Sequence, residues 1–79
     1  MKAIDKMKEF KTFCDFYKVM LSPDGFGSDY EIATAIIKGN DTTTVYRRIC
    51  VQALNLDGIV KRTEETESGY TATIKFYND

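Results

Sequence analysis

The sequence predicts a single α+β domain over residues 1–79, in which three helices precede a two-stranded β-hairpin. A chain of 79 residues suits one domain. Apolar residues recur at helical spacing through much of the chain, while Tyr70–Tyr77 alternates apolar and polar residues as a half-buried strand does. The sequence shows no internal repeat, linker or low-complexity stretch.

The first helix is predicted over about residues 2–21. Its apolar residues cover a wide arc, broader than the stripe of about 100° that an ordinary surface helix buries. That arc suits the centre of a small core, and part of it also suits contact with a second copy of the chain. Phe13 and Phe16 are the candidate residues for a homodimer interface.

A turn and a second helix are predicted next. Ser22–Gly25 combines Pro and Gly in an order typical of turns. Ser28 and Glu31 have the spacing of a capping box, which predicts a helix over about residues 29–38. Gly39 follows at the position where a residue with left-handed backbone conformation commonly ends a helix.

The third helix is predicted over about residues 42–56, with Asp41 as its N-cap and Gly58 as its stop. A link of only two residues to the preceding helix predicts a steep helix-turn-helix crossing. The hairpin is predicted over about residues 59–77, with a polar loop ending in glycine between its strands.

This order of elements resembles a winged helix-turn-helix domain of the small prokaryotic or viral regulator type. The segment Thr43–Ile49 leading to Leu56–Arg62 looks like a recognition helix and its following strand. The resemblance extends over nearly the whole chain. It implies a transcriptional regulator that binds double-stranded DNA, with the third helix in the major groove and the hairpin as the wing.

The outward face of the third helix carries residue types that read DNA. Arginine pairs bidentately with guanine, glutamine with adenine, and threonine contacts phosphates or thymine methyl groups. Two further basic residues lie at the base of the predicted wing, where one could reach a phosphate. The predicted DNA-binding residues are Thr43, Thr44, Arg47, Arg48, Gln52, Lys61 and Arg62.

Two alternatives to DNA binding stay open at this point. The same face suits an ordinary solvated helix. The net charge of −1, the acidic segment Glu64–Glu67 and the outward Val51 favour a protein-binding winged-helix module. Such a module would inhibit or recruit a partner such as a nucleic-acid enzyme.

An enzyme is not predicted, nor is a metal or a cofactor. The chain has no histidine, and no cysteine pair has metal-ligand spacing. Cys14 and Cys50 are predicted to be reduced core residues. Without a signal-peptide pattern or an apolar run long enough for a membrane span, we expect no membrane contact and a cytoplasmic location, in the host cell if the protein is viral.

Overall fold

The computed structural model describes residues 1–79 and contains two helices packed on a four-stranded antiparallel sheet. The prediction of three helices followed by a hairpin wing is therefore wrong. The spatial order of the strands is β1-β2-β4-β3. Along the chain, the elements are α1 (Ala3–Phe16), β1 (Met20–Phe26), β2 (Tyr30–Lys38), α2 (Thr42–Asn55), β3 (Ile59–Thr66) and β4 (Gly69–Tyr77).

The predicted second helix is the central strand β2. Ala33, Ala35 and Ile37 are buried, while the residues between them face the other side of the sheet. The register pairs Tyr30 with Tyr77 and continues without interruption to Lys38 opposite Gly69. The β-branched side chains of this segment favour a strand, and pairing with β4 outweighs the capping-box pattern at its start.

The first helix ends earlier than predicted, at Phe16. Lys18 has a left-handed φ of 57°, and the amide of Val19 donates to the Cys14 carbonyl at 2.8 Å, which closes the helix. The chain then enters β1, so the predicted turn around Pro23 lies inside an edge strand. Proline is tolerated there because an edge strand has one side that needs no ladder hydrogen bonds. A one-residue bulge at Asp24 accommodates the irregular backbone.

The predicted third helix corresponds to α2, and the predicted hairpin corresponds to β3 and β4. This hairpin is not a wing, because β4 pairs with β2 along its whole length and forms the centre of the sheet. Both helices cover one face of the sheet. The core lies between these layers, where Phe10 of α1 packs edge-on against Phe76 at 5.4 Å between ring centroids.

The fold consists of two αββ units that share a 39-residue spacing. Each element of the second unit begins 39 residues after its counterpart in the first: Ala3 and Thr42, Met20 and Ile59, Tyr30 and Gly69. Helix ends match as well, because Asp57 has a φ of 59° and the Gly58 amide donates to the Ala53 carbonyl at 2.8 Å. The two units are therefore related by a pseudo-two-fold axis.

The axis passes between the central strands. Thr34 and Thr73 occupy equivalent positions in the two units and are direct neighbours, with 2.9 Å between their hydroxyl oxygens. Only Ala33 and Thr34 recur as identical residues at the matching positions, as Ala72 and Thr73. Such weak identity explains why the sequence shows no repeat although the backbone does.

Candidate functional site

The outer surface of the two helices brings together residues that the sequence assigned to different roles. A groove of about 240 Å³ lies between α1 and α2 and is lined by Phe13, Arg47, Arg48, Val51 and Gln52. Phe13 and Gln52 also line an adjoining groove of about 390 Å³ with Phe16. We refer to these six residues as the helical surface. It contains both candidate dimer residues and three of the seven candidate DNA-binding residues.

Arg47 and Arg48 are exposed and form no ion pair. The Arg48 guanidinium donates to the Tyr17 hydroxyl at 3.4 Å and lies 6.0 Å from the centre of that ring. α2 contains no acidic residue, and Glu9 of α1 is the one carboxylate that lines either groove of this surface. Both guanidinium groups therefore remain available to an external carboxylate or phosphate.

Apolar side chains on this surface are strongly exposed. Phe16 retains 78% of its accessible area, and Val51 retains 55%. Leu54, which the sequence analysis did not single out, is 58% exposed one turn away on α2. Phe13 is half-buried, with 5.0 Å between its ring centroid and that of Tyr17. Exposed apolar side chains that lie together mark a candidate binding surface.

The two threonines predicted to contact DNA lie at the amino end of α2 and are exposed. The Thr43 hydroxyl is 3.1 Å from the hydroxyl of Tyr70, which ties it to β4. Thr44 forms no side-chain hydrogen bond and faces solvent. Neither residue lines the grooves of the helical surface.

Lys61 and Arg62 lie apart from the helical surface. Both are exposed on the edge strand β3, where Lys61 forms a one-residue bulge. Arg62 pairs with Thr73, which places it on the sheet face opposite the helices, and its guanidinium forms an ion pair with Glu64. A single positive face that includes Arg47, Arg48 and Arg62 is absent.

The two cysteines are unsuited to nucleophilic chemistry. Burial raises the pKa of the Cys14 thiol to about 12, with a smaller contribution from the negative charge of Asp15. Burial also raises the pKa of the half-buried Cys50 thiol. Both are free thiols, and the thiolate form that attacks or binds metals is disfavoured in each. No group of three or more candidate ligands is placed to hold a metal ion.

Comparison with known proteins gives no relative for this chain. No family model, curated protein or solved structure matches it. The resemblance to winged-helix regulators therefore has no support from a relative, and the observed fold removes its architectural basis. Neither helix has the combination of length and hydrophobicity that crossing a membrane requires.

Sequence reasoning identified Arg47, Arg48 and Val51 as outward-facing but could not place α1 beside them. The contribution of Phe13 and Phe16 to the same surface depends on the two helices lying side by side on one sheet. The available signal was the excess width of the apolar arc of the first helix, which contains more aromatic side chains than one core-facing stripe needs.

Proposed function

We propose that the chain is a protein-binding module whose helical surface takes an amphipathic helix of a partner protein. The observation that carries this proposal is the position of Arg47 and Arg48 beside the exposed Val51 in one groove, with the exposed Phe16 in the adjoining groove. A partner helix with apolar residues on one stripe and acidic residues beside it complements this arrangement in shape and charge.

Two features favour a protein over DNA as the ligand. DNA binding draws its affinity from many phosphate contacts made by clustered cations. Here Arg62 is paired with Glu64 on the opposite sheet face, so Arg47 and Arg48 are separated from this third predicted cationic contact. The exposed side chains of Val51 and Phe16 on the same surface also contribute more to a protein interface than to contact with a phosphate backbone.

Double-stranded DNA is the second candidate ligand, because Thr44, Arg47 and Arg48 are exposed together on one helix. A second copy of the chain, docked through Phe13 and Phe16, would occupy the same surface as a partner helix. Each of these three ligands would give a different result in solution, so one set of variants distinguishes between them.

The test is a selection of displayed random peptides against the immobilised chain, followed by affinity measurements on the enriched sequences. We expect the enriched peptides to combine apolar residues at helical spacing with several acidic residues. Reversing both charges, as Arg47→Glu with Arg48→Glu, should weaken binding by about tenfold or more, because the acidic residues of the peptide then face carboxylates instead of guanidinium groups. Phe16→Ala should weaken binding to a similar degree, as expected for an aromatic anchor.

The matched control is Lys61→Glu with Arg62→Glu, which reverses the same number of charges on β3 and should leave peptide affinity unchanged. Equal loss in both double variants would contradict a site on the helical surface. Failure to enrich peptides, with tight binding of a random-sequence DNA duplex at low salt, would favour DNA. A dimer of the 9.0 kDa chain that dissociates on Phe16→Ala would assign the surface to a second copy.

A further inference from the structure

A second groove runs along the other side of α1, between that helix and the edge strand β1. It has a volume of about 190 Å³, and its walls are mainly apolar. It continues towards the amino end of α1 as a pocket of about 280 Å³ that shares Phe26 and Glu31 with it. We refer to it as the α1–β1 groove, defined by Met7, Leu21, Pro23, Phe26, Glu31 and Ala33.

The second αββ unit fills the corresponding space with its own side chains. Tyr46 and Tyr70 occupy the positions equivalent to Met7 and Glu31, and their rings stack at 4.5 Å with an interplanar angle of 17°. No pocket involves Tyr46 or Tyr70. The space between the helix and its hairpin is therefore filled by two stacked aromatic rings in the second unit and left open in the first.

The open unit places a carboxylate where the closed unit has an aromatic ring. Glu31 is half-buried on the helix-facing side of β2 and forms neither an ion pair nor a side-chain hydrogen bond. Lys11, which also lines the groove, directs its ammonium to Asp15 at 3.1 Å. Phe26 is the direct strand neighbour of Glu31 and is 79% exposed, so one face of its ring is available for stacking.

We propose that the α1–β1 groove binds an arginine side chain of a protein partner. A guanidinium group is planar, as the stacked rings of the second unit are, and it stacks on an aromatic face while it donates two hydrogen bonds to one carboxylate. In this site, Phe26 supplies the aromatic face, Glu31 supplies the carboxylate, and Met7 contacts the apolar stem of the arginine. A lysine has a compact ammonium group that provides neither the planar stacking nor the paired donors.

This site is separate from the helical surface and does not depend on the function proposed for it. The two share no lining residue. Arg47→Glu with Arg48→Glu is therefore expected to leave binding in the α1–β1 groove unchanged. Conversely, substitutions in the α1–β1 groove are expected to leave peptide binding at the helical surface unchanged.

The experiment is an NMR titration of the chain with the capped peptide acetyl-Gly-Arg-Gly-amide. We expect saturable shifts of the amide signals of Met7, Phe26 and Glu31. The same peptide with citrulline, which keeps the shape of arginine but has no charge, should bind about tenfold more weakly, because a charge-assisted pair is lost. The lysine peptide should also bind more weakly than the arginine peptide.

Three variants of the groove and one control variant test these contacts. Glu31→Gln should weaken arginine-peptide binding by about tenfold, whereas Glu64→Gln, on the opposite sheet face, should have no effect. The double variant Met7→Tyr with Glu31→Tyr copies the second unit and should abolish binding while the spectrum stays dispersed. Phe26→Ala changes an exposed side chain, so it removes the stacking contact without disturbing the fold.

The proposal is overturned if the citrulline or lysine peptide binds as tightly as the arginine peptide. It is equally overturned if Glu31→Gln and Phe26→Ala both leave the affinity unchanged, or if the shifts occur on the helical surface. Loss of peptide binding at the helical surface with intact arginine binding in the groove would contradict only the proposed function.

Discussion

Lys6 is a charged residue in the core, with 5% of its side chain exposed. Its ammonium donates to the Tyr77 carbonyl at 2.9 Å and to the Asp79 carboxylate at 2.6 Å. Asn78 accepts a hydrogen bond from the Ala3 amide at 2.7 Å, so consecutive residues at the end of β4 hold the start of α1. A buried charge of this kind is tolerated because each of its partners is in place.

This contact predicts how stability depends on pH at the residue scale. Hydrogen bonds from Lys6 and from the terminal amine of Met1 lower the pKa of Asp79 from its ordinary value of 3.8 to about 2. Because the pKa is lower in the folded state, the stabilisation is complete above about pH 4 and is lost as the pH falls towards 2. Asp79→Asn should therefore lower the free energy of unfolding at pH 7 and flatten its decline between pH 4 and 2.

Urea denaturation at a series of pH values measures this difference. Asp15→Asn is the control, because the pair between Asp15 and Lys11 is exposed on one helix and contributes about 0.3–0.5 kcal/mol. The curves of the wild-type and Asp79→Asn proteins should converge near pH 2. A constant difference between the two free energies of unfolding at every pH would contradict the assignment of the stability loss at low pH to Asp79.

At the scale of elements, the turn between β3 and β4 depends on Gly69. Its φ is +157°, and a Cβ atom there would overlap the carbonyl oxygen of Ile37 on β2. Gly69→Ala should therefore lower the free energy of unfolding, by about 1–3 kcal/mol for the strained backbone and further for the overlap with Ile37. Thermal or urea unfolding monitored by circular dichroism measures the effect.

Gly25→Ala is the matched control in β1. A Cβ atom at Gly25 would meet nothing within 4 Å, and its backbone is not left-handed. We expect a change of no more than about 0.5 kcal/mol for this exposed position. Equal destabilisation by the two substitutions would show that the steric environment of Gly69 is not the cause.

The elements differ in how far the sequence determines them. The segments that became α2 and β4 have one clear period each, and their predicted and observed bounds are close. In β2, the apolar run Ile32–Ile37 fits helix and strand spacing equally well, and a short run of this kind cannot be assigned by periodicity alone. Ser28 and Glu31 then favoured a helix, which is wrong. A capping box stabilises only a helix that follows it, and here the chain continues as a strand.

The site was harder to predict than the elements, since it depends on contacts between them. Arg47 and Arg48 were identified as outward-facing from their positions on one helix, and both are exposed. Their proximity to Phe13 follows from the sheet order, which the sequence did not reveal. The α1–β1 groove was still harder to predict, because Glu31 became significant only through its equivalence to Tyr70.

At the scale of the whole molecule, the two αββ units cannot separate without exposing the centre of the sheet. Strands β2 and β4 come from different units and pair over nine residues each, from Tyr30–Tyr77 to Lys38–Gly69. Separating them would leave two long apolar strand edges unpaired, which is unfavourable in water. We therefore expect the two units to unfold together, although each contains a helix and a hairpin of its own.

The pseudo-two-fold symmetry also predicts that the chain tolerates a change of connectivity. The ends meet beside α1, where the Asp79 amide donates to the Met1 carbonyl at 3.1 Å. Under the 39-residue spacing, this junction corresponds to the exposed link between the units at Asn40 and Asp41. A circular permutant that begins at Asp41, with Asp79 joined to Met1 by a short Gly-Ser linker, should therefore keep the same sheet order.

We expect the permutant to lose only the exposed ion pair of the Met1 amine with Asp79, so its free energy of unfolding should change little. Urea denaturation measures that change, and a two-dimensional amide spectrum checks the fold. The control is a permutant opened between Thr34 and Ala35, which divides the central strand β2 and should not fold. An unfolded Asp41 permutant, or a folded control, would contradict the division of the molecule into two units joined at residues 40 and 41.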